Sequence, residues 1–189
     1  MAKLKEGDDG ELEHRLQAWL AATETQDSDL MIKTVHNLGL AYVWSERYEE
    51  GLIYLQKGQV LAKQVGARLK EGGFEKTIGA CYFFQAEYEK AISSYQSAYR
   101  IFTETGDHNW LAHGCHALAD AYAEIGQQAQ AKRYFDEATT IAQRLGGEEL
   151  LQALEALAAE YPSLRTPLTN TQLKVLGYVK ENGRITNKQ

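Results

Sequence analysis

The chain is poor in the residues that would complicate its reading. Only two prolines, Pro162 and Pro167, occur among 189 residues, so nothing before Pro162 obliges a helix to stop. Cys81 and Cys115 are the only cysteines. That is too few for a disulfide framework and makes a reducing cytoplasm the expected compartment. No run approaches the roughly 18–20 apolar residues of a membrane helix, and residues 1–9 are too polar for a signal peptide. A glycine-rich phosphate loop, a serine elbow, HExxH, CxxC and a paired-carboxylate constellation are all missing. The sequence therefore predicts no catalysis and no cofactor.

Acidic residues exceed basic ones, 26 against 20, for a net charge of −6, which argues against non-specific nucleic-acid binding by the whole chain. The imbalance is uneven. Residues 1–163 carry −10, whereas residues 164–189 hold Arg165, Lys174, Lys180, Arg184 and Lys188 against Glu181 alone, a balance of +4. That break falls at the two prolines.

What is present is a repeat of 40 residues. Leu38-Gly39-x-x-Tyr42, Ile78-Gly79-x-x-Tyr82 and Leu118-Ala119-x-x-Tyr122 align without a gap. So do Gly51/Ala91/Ala131, Leu55/Tyr95/Phe135, Gly58/Ala98/Ala138, Leu61/Ile101/Ile141 and Gly66/Gly106/Gly146. A period of this size predicts stacked supersecondary units, each burying its apolar face on the next. Within a unit, helical spacing (Val35, Leu38, Tyr42) precedes a short polar turn and a second helix that begins near Tyr48, Tyr88 or Gln128. Gly66, Gly106 and Gly146 stand where a helix end calls for a left-handed residue. Gly39 and Gly79 lie inside the first helix, where glycine costs about 1 kcal/mol; their recurrence predicts a close helix crossing.

These columns resemble the tetratricopeptide repeat (TPR) family, whose pattern is W-x2-L-G-x2-Y, then A-x3-F and a later small residue. The resemblance covers residues 32–146. The head aromatic is replaced by Val35, Glu75 and Cys115, the closing proline is absent, and the period exceeds the usual ~34. This matches the long-repeat type found in bacterial signalling proteins and motor-cargo adaptors. It implies an all-α fold, an α-solenoid with a right-handed superhelix. Its repeats would span 32–66, 72–106 and 112–146, with capping helices over 11–24 and 148–161. Leu12, Leu16, Trp19 and Leu20 would form the apolar side of the first cap. The expected domains are a solenoid over 1–162 and a basic tail over 163–189.

In that family the first helix of each unit lines a concave face that receives a peptide. The resemblance then places Lys33, His36, Leu40, Val43 and Trp44 on that face in the first unit. Lys76, Ala80, Phe83 and Phe84 follow in the second, and His113, His116, Asp120 and Glu124 in the third. Aromatics flanked by Lys33, Lys76 and histidines would suit a peptide carrying apolar and acidic residues; the competing expectation is that the aromatics pack between units. Leu40, Ala80 and Asp120 replace the asparagines of the family's carboxylate clamp, so that clamp is not expected. His108, His113, Cys115 and His116 lack a metal-binding spacing, and no metal site is expected.

Leu173, Leu176 and Val179 or Lys180 predict a short helix ended by Asn182-Gly183. The phrase Glu181-Asn182-Gly183-Arg184-Ile185-Thr186 resembles the opening of a bacterial winged-helix domain. A recognition helix would lie past Gln189, so this chain is not expected to read DNA. The functional expectation is a non-enzymatic, cytoplasmic module that binds a protein or peptide, the sensing or scaffolding part of a regulator. Self-assembly into homo-oligomers and nucleic-acid binding through the tail are the alternatives.

Overall fold

A computed structural model describes residues 8–165, 178–181 and 184–187. The chain forms two compact units that meet in sequence between Asp107 and His108. Unit 1 holds α1 (Asp8–Thr25), α2 (Ser28–Trp44), α3 (Tyr48–Gln64), α4 (Arg68–Phe84) and α5 (Tyr88–Thr105). Unit 2 holds α6 (His108–Glu124), α7 (Gln128–Leu145), α8 (Glu148–Glu160), a 3-10 turn (Pro162–Arg165) and the strands β1 (Tyr178–Glu181) and β2 (Arg184–Asn187). Apart from the β1–β2 pair the described elements are helical, an all-α class: within each unit consecutive helices pack as antiparallel hairpins of the TPR-like solenoid class.

One closure recurs in the α2/α3, α4/α5 and α6/α7 hairpins. The amides of Arg47, Glu87 and Gln127 each donate to the carbonyl of Tyr42, Tyr82 or Tyr122 at 2.9 Å. The amides of Glu46, Ala86 and Gly126 reach Val43, Phe83 and Ala123. This is the Schellman arrangement, which requires a left-handed residue just past the helix. Glu46, Ala86 and Gly126 supply it at φ 58°, 57° and 70°. Gly66, Gly106 and Gly146 are left-handed at the other helix ends, with φ 71°, 70° and 68°. The N-terminus of α2 is closed by Asp27, whose carboxylate accepts from the amides of Asp29 and Leu30 at 3.0 and 3.1 Å.

In unit 1 the core runs through Val35, Leu38, Leu55, Phe74, Cys81 and Phe102, all buried. The close crossings fall on the repeated glycines. A Cβ at Gly79 would sit 2.5 Å from the Tyr95 ring and 3.2 Å from the Ala91 carbonyl, so α4 and α5 touch there through backbone. A Cβ at Gly39 would instead strike the Leu55 side chain, and one at Gly58 the side chains of Phe74 and Val35. In unit 2, Leu111, Cys115, Leu118, Tyr134, Leu154 and Leu164 are buried, and Lys132 Nζ donates to the Leu164 carbonyl at 2.7 Å, holding the 3-10 turn to α7.

The signature tyrosines differ in one respect. Tyr42 stacks on Tyr54 (5.4 Å, 6°) and Tyr122 on Tyr134 (5.7 Å, 4°). Ser94 occupies the matching column in the middle repeat, and Tyr82 instead lies under the Lys90 ammonium, 5.4 Å from its ring centroid.

Three expectations are corrected. Leu20 is 46% exposed, so the buried side of α1 consists of Leu12 and its neighbours without it. Val43 faces the core with Leu55 and Ile78 and lines no surface. In the tail, Val179 and Lys180 belong to a strand: β1 pairs antiparallel with β2, Val179 opposite Thr186 and Glu181 opposite Arg184. An Asn-Gly pair between two short runs is a strong hairpin signal, and here it outweighs the helical spacing. The remainder of the expected tail helix, Leu173 and Leu176, lies outside the described residues.

Candidate partner-binding faces

Lys33, His36, Leu40 and Trp44 stand at i, i+3, i+7 and i+11 of α2, a spacing that aligns side chains on one face. On α4 the matching row is Lys70, Gly73, Lys76, Ala80 and Phe83–Phe84. Helices α2 and α4 pack on each other, and His36 is the joint. Its Nε2 lies 3.1 Å from Thr77 Oγ1. That hydroxyl already gives its proton to the Gly73 carbonyl at 3.0 Å, so Nε2 must be the donor and the imidazole is the Nε2–H tautomer. The Phe74 ring stands edge-on at 4.9 Å. Burial, and then the charges of Lys76 and Lys70, push His36 down from 6.5 to about 4. His36 is thus half-buried between helices rather than open to a partner.

The charges of α4 are sorted by side. Glu71 pairs with Arg68 at 2.8 Å, and Arg68 also pairs with Glu104 of α5 at 2.6 Å. Glu75 is raised chiefly by burial and then by Glu71, and it bonds Gln59 of α3 within range of Arg100 of α5. The acids therefore look toward α3 and α5. The charges of Lys70 and Lys76 are felt at His36 of α2, and burial lowers Lys76 from the ordinary lysine value.

The C-terminal ends of the two helices carry aromatics. Trp44 is 70% and Phe84 58% exposed. Phe84 stacks on Tyr48 at 5.8 Å and meets Phe83 edge-on, while Phe83 contacts Tyr88 at 5.4 Å. The row Tyr48–Phe84–Phe83–Tyr88 fixes an aromatic shelf, and Trp44 stands in the column equivalent to Phe84.

Unit 2 has a different character. His113, His116 and Asp120 are half-buried on α6. Burial, followed by the charges of Glu124 and Glu160, pushes Asp120 up from 3.8 to about 6. Tyr161 donates its hydroxyl to Glu124 at 2.8 Å, tying the end of α8 to α6. Burial raises both thiols, Cys81 to about 11 and Cys115 further, so neither is a reactive thiolate. Among the described residues no group of three or more histidine, cysteine or acidic side chains is placed to hold a metal. None of their helices is long and apolar enough to cross a membrane.

Sequence reasoning missed Lys70, Gly73, Tyr48, Tyr88 and Tyr161. Lys70 could have been found by stepping two turns back from Lys76. The others depend on pairings that no local pattern announces.

Residues 75–144 match the model of the tetratricopeptide repeat family. Curated protein sequences give no match. Among solved structures, the chain is similar to aspartyl phosphate phosphatase F from Bacillus subtilis, at 20% identity and TM-score 0.74, covering 80% of this chain and 40% of that one. It is similar to a Rap protein complexed with competence and sporulation factor, at 15% identity and TM-score 0.75, covering 87% and 45%. A third similar structure is BtubC (BKLC) from P. vanneervenii, at 15% identity and TM-score 0.69, covering 84% and 70%. The chain thus spans less than half the length of the first two. At these identities the likeness concerns the fold, a TPR-like helical array, and the match to the tetratricopeptide repeat family spans residues 75–144.

Proposed function

We propose that the chain is a non-enzymatic interaction module that binds a peptide or partner protein on the faces of its first helices α2, α4 and α6, and that it serves as the sensing or scaffolding part of a regulator. The observation that carries this reading is the exposure of Trp44 and Phe84 in one repeat column, with Lys33, Lys70 and Lys76 about two to four turns earlier on the same two helices. Exposed aromatics cost solubility, and interfaces draw most of their energy from such anchors. The similar Rap structure, solved with competence and sporulation factor, supports a bound partner. A cytoplasmic setting accords with two buried, unpaired thiols. Trp44→Ala and Lys76→Glu, compared with the natural chain in co-precipitation, test the reading: each should lose the partner, and retention in both would count against it.

A second reading is self-association, favoured by Ile53 and Val60, exposed one above the other on α3 at 53% and 54%. Light scattering over a dilution series distinguishes it, because a concentration-independent monomer excludes it. Binding of nucleic acid by the basic tail would need affinity that falls steeply with salt and vanishes on removal of residues 164–189.

A further inference from the structure

Gly73 has no packing reason inside the fold. Its neighbour Gly72 does: a Cβ there would meet Phe102 at 2.6 Å and Ile101 at 2.8 Å. At Gly73 the backbone is buried, yet an added Cβ would meet nothing within 4 Å. A glycine in the middle of a helix weakens it, and here the space it leaves opens as a notch. The equivalent columns in the other repeats hold Lys33 and His113. Lys70 and Lys76 stand one turn before and one turn after the notch on α4, and His36 of α2 borders it. Lys33 extends the same row on α2. On α4, Glu71 pairs with Arg68 and Glu75 bonds Gln59 of α3; the one carboxylate on α2 is Asp29, in its first turn.

We propose that the α2/α4 face of unit 1 is a bipartite site for an extended acidic peptide. Aspartate or glutamate side chains seat over the Gly73 notch among Lys33, Lys70 and Lys76, and a bulky apolar side chain rests on Trp44 and Phe84. The inference rests on the partner-binding reading above and specifies the chemistry of its first half. The geometry also sets a spacing. From Lys76 to Phe84 is eight residues, about 12 Å of helix, and from Lys33 to Trp44 eleven, about 16 Å. An extended chain advances about 3.3 Å per residue, so the acidic and apolar residues lie about four to five positions apart. Charge complementarity favours this occupant, since lysines gathered on one wall of an otherwise acidic chain attract carboxylates and repel basic segments.

The test is selection from a random 12-residue displayed peptide library, which contains carboxylates and no phosphate. Selected peptides should be enriched in Asp or Glu about four to five positions from Trp, Phe or Leu. Fluorescence anisotropy on a synthetic selected peptide should then show a loss of about tenfold or more with Lys70→Glu, with Trp44→Ala and with Gly73→Leu. Circular dichroism checks that each variant keeps its helices; Lys70 and Trp44 are exposed, so those two variants retain the test should Gly73→Leu misfold. Peptides that bind and depend on Trp44 without acidic enrichment, or that ignore Lys70→Glu, would overturn the bipartite site and leave the binding face standing. A library that yields no binder, or binders indifferent to every face variant, overturns both.

Discussion

Unit 1 and unit 2 fill the same sequence columns with different small residues, and the exchange shows what each column is for. At helix crossings unit 1 uses Gly39, Gly58, Gly72 and Gly79, where Leu55, Phe74, Phe102 and Tyr95 leave no room for a Cβ. Unit 2 places Ala119, Ala138 and Ala112 in those columns, all fully buried, so its helices meet with a methyl between them. In the hairpin turn the preference reverses. Unit 1 holds Glu46 and Ala86 at a left-handed φ, and unit 2 uses Gly126. Small residues in a repeat column therefore answer to the local partner, a crossing ring or a required φ, and the column letter alone does not say which. The units also differ in charge, with lysines and a neutral imidazole on the α2/α4 face and the acids Asp120 and Glu124 on α6.

The sharpest way to break the comparison is Gly79→Leu. It drives a side chain into the Tyr95 ring, and overpacking of this kind should cost about 3 kcal/mol. An unchanged melting midpoint would remove the backbone-contact account of α4 and α5. Leucine at Ala119 should cost less, because its methyl already holds the helices apart.

Next in size is an opposite response to acid. His36 folds with its pKa lowered from 6.5 to about 4. Between those values the unfolded chain binds the extra proton, so stability is lost as pH falls, by about 2–3 kcal/mol at most. Asp120 folds with its carboxyl raised from 3.8 to about 6. There the folded chain binds the extra proton, so its contribution is present at low pH and lost as pH rises through about 6. Its effect is about 1–2 kcal/mol after solvent screening. Hydrogen exchange corrected for intrinsic rates should show α2 and α4 losing protection from pH 7 to pH 4.5, an effect weakened by His36→Gln. Over the same interval Asp120→Asn should remove a gain in α6. Parallel responses in both units would refute the sorting of these two groups.

Adjacent glycines give a smaller contrast. Gly72→Ala should destabilise by about 1–2 kcal/mol, because Phe102 must shift. Gly73→Ala should stabilise by up to about 1 kcal/mol, because helix propensity improves and nothing is struck. Matching signs in thermal melts would erase the distinction that defines the notch. Smallest is the turn column: Ala86→Gly should raise stability by about 0.5–1 kcal/mol, and Gly126→Ala should lower it by a similar amount.

The helices and their crossings were legible from the chain because a 40-residue period repeats small and aromatic residues in register, and each helix obeys local spacing. The Schellman turns were half legible. Gly126 announces a left-handed residue, but Glu46 and Ala86 do not, since their conformation is imposed by the carbonyls of Tyr42 and Tyr82. The candidate site was legible as a set of exposed residue types, Trp44, Phe84 and Lys33. It was not legible as geometry: His36 finds its partner 41 positions away, and Gly73 and Gly72 look identical in sequence although a Cβ would strike α5 at Gly72 and open space at Gly73. In the tail, helical spacing at Leu173, Leu176 and Val179 competed with Asn182-Gly183, and cross-strand pairing from Tyr178 to Asn187 prevailed.

The measurement that bears most directly on the account is calorimetric titration of a selected peptide against two double variants. Trp44→Ala/Phe84→Ala removes the shelf on the first-helix face, and Ile53→Ser/Val60→Ser removes the rival apolar pair on α3. The account predicts that the first loses binding by tenfold or more, roughly the cost of one lost anchor, and that the second binds as the natural chain does. Loss in the α3 variant with retention in the shelf variant would contradict it.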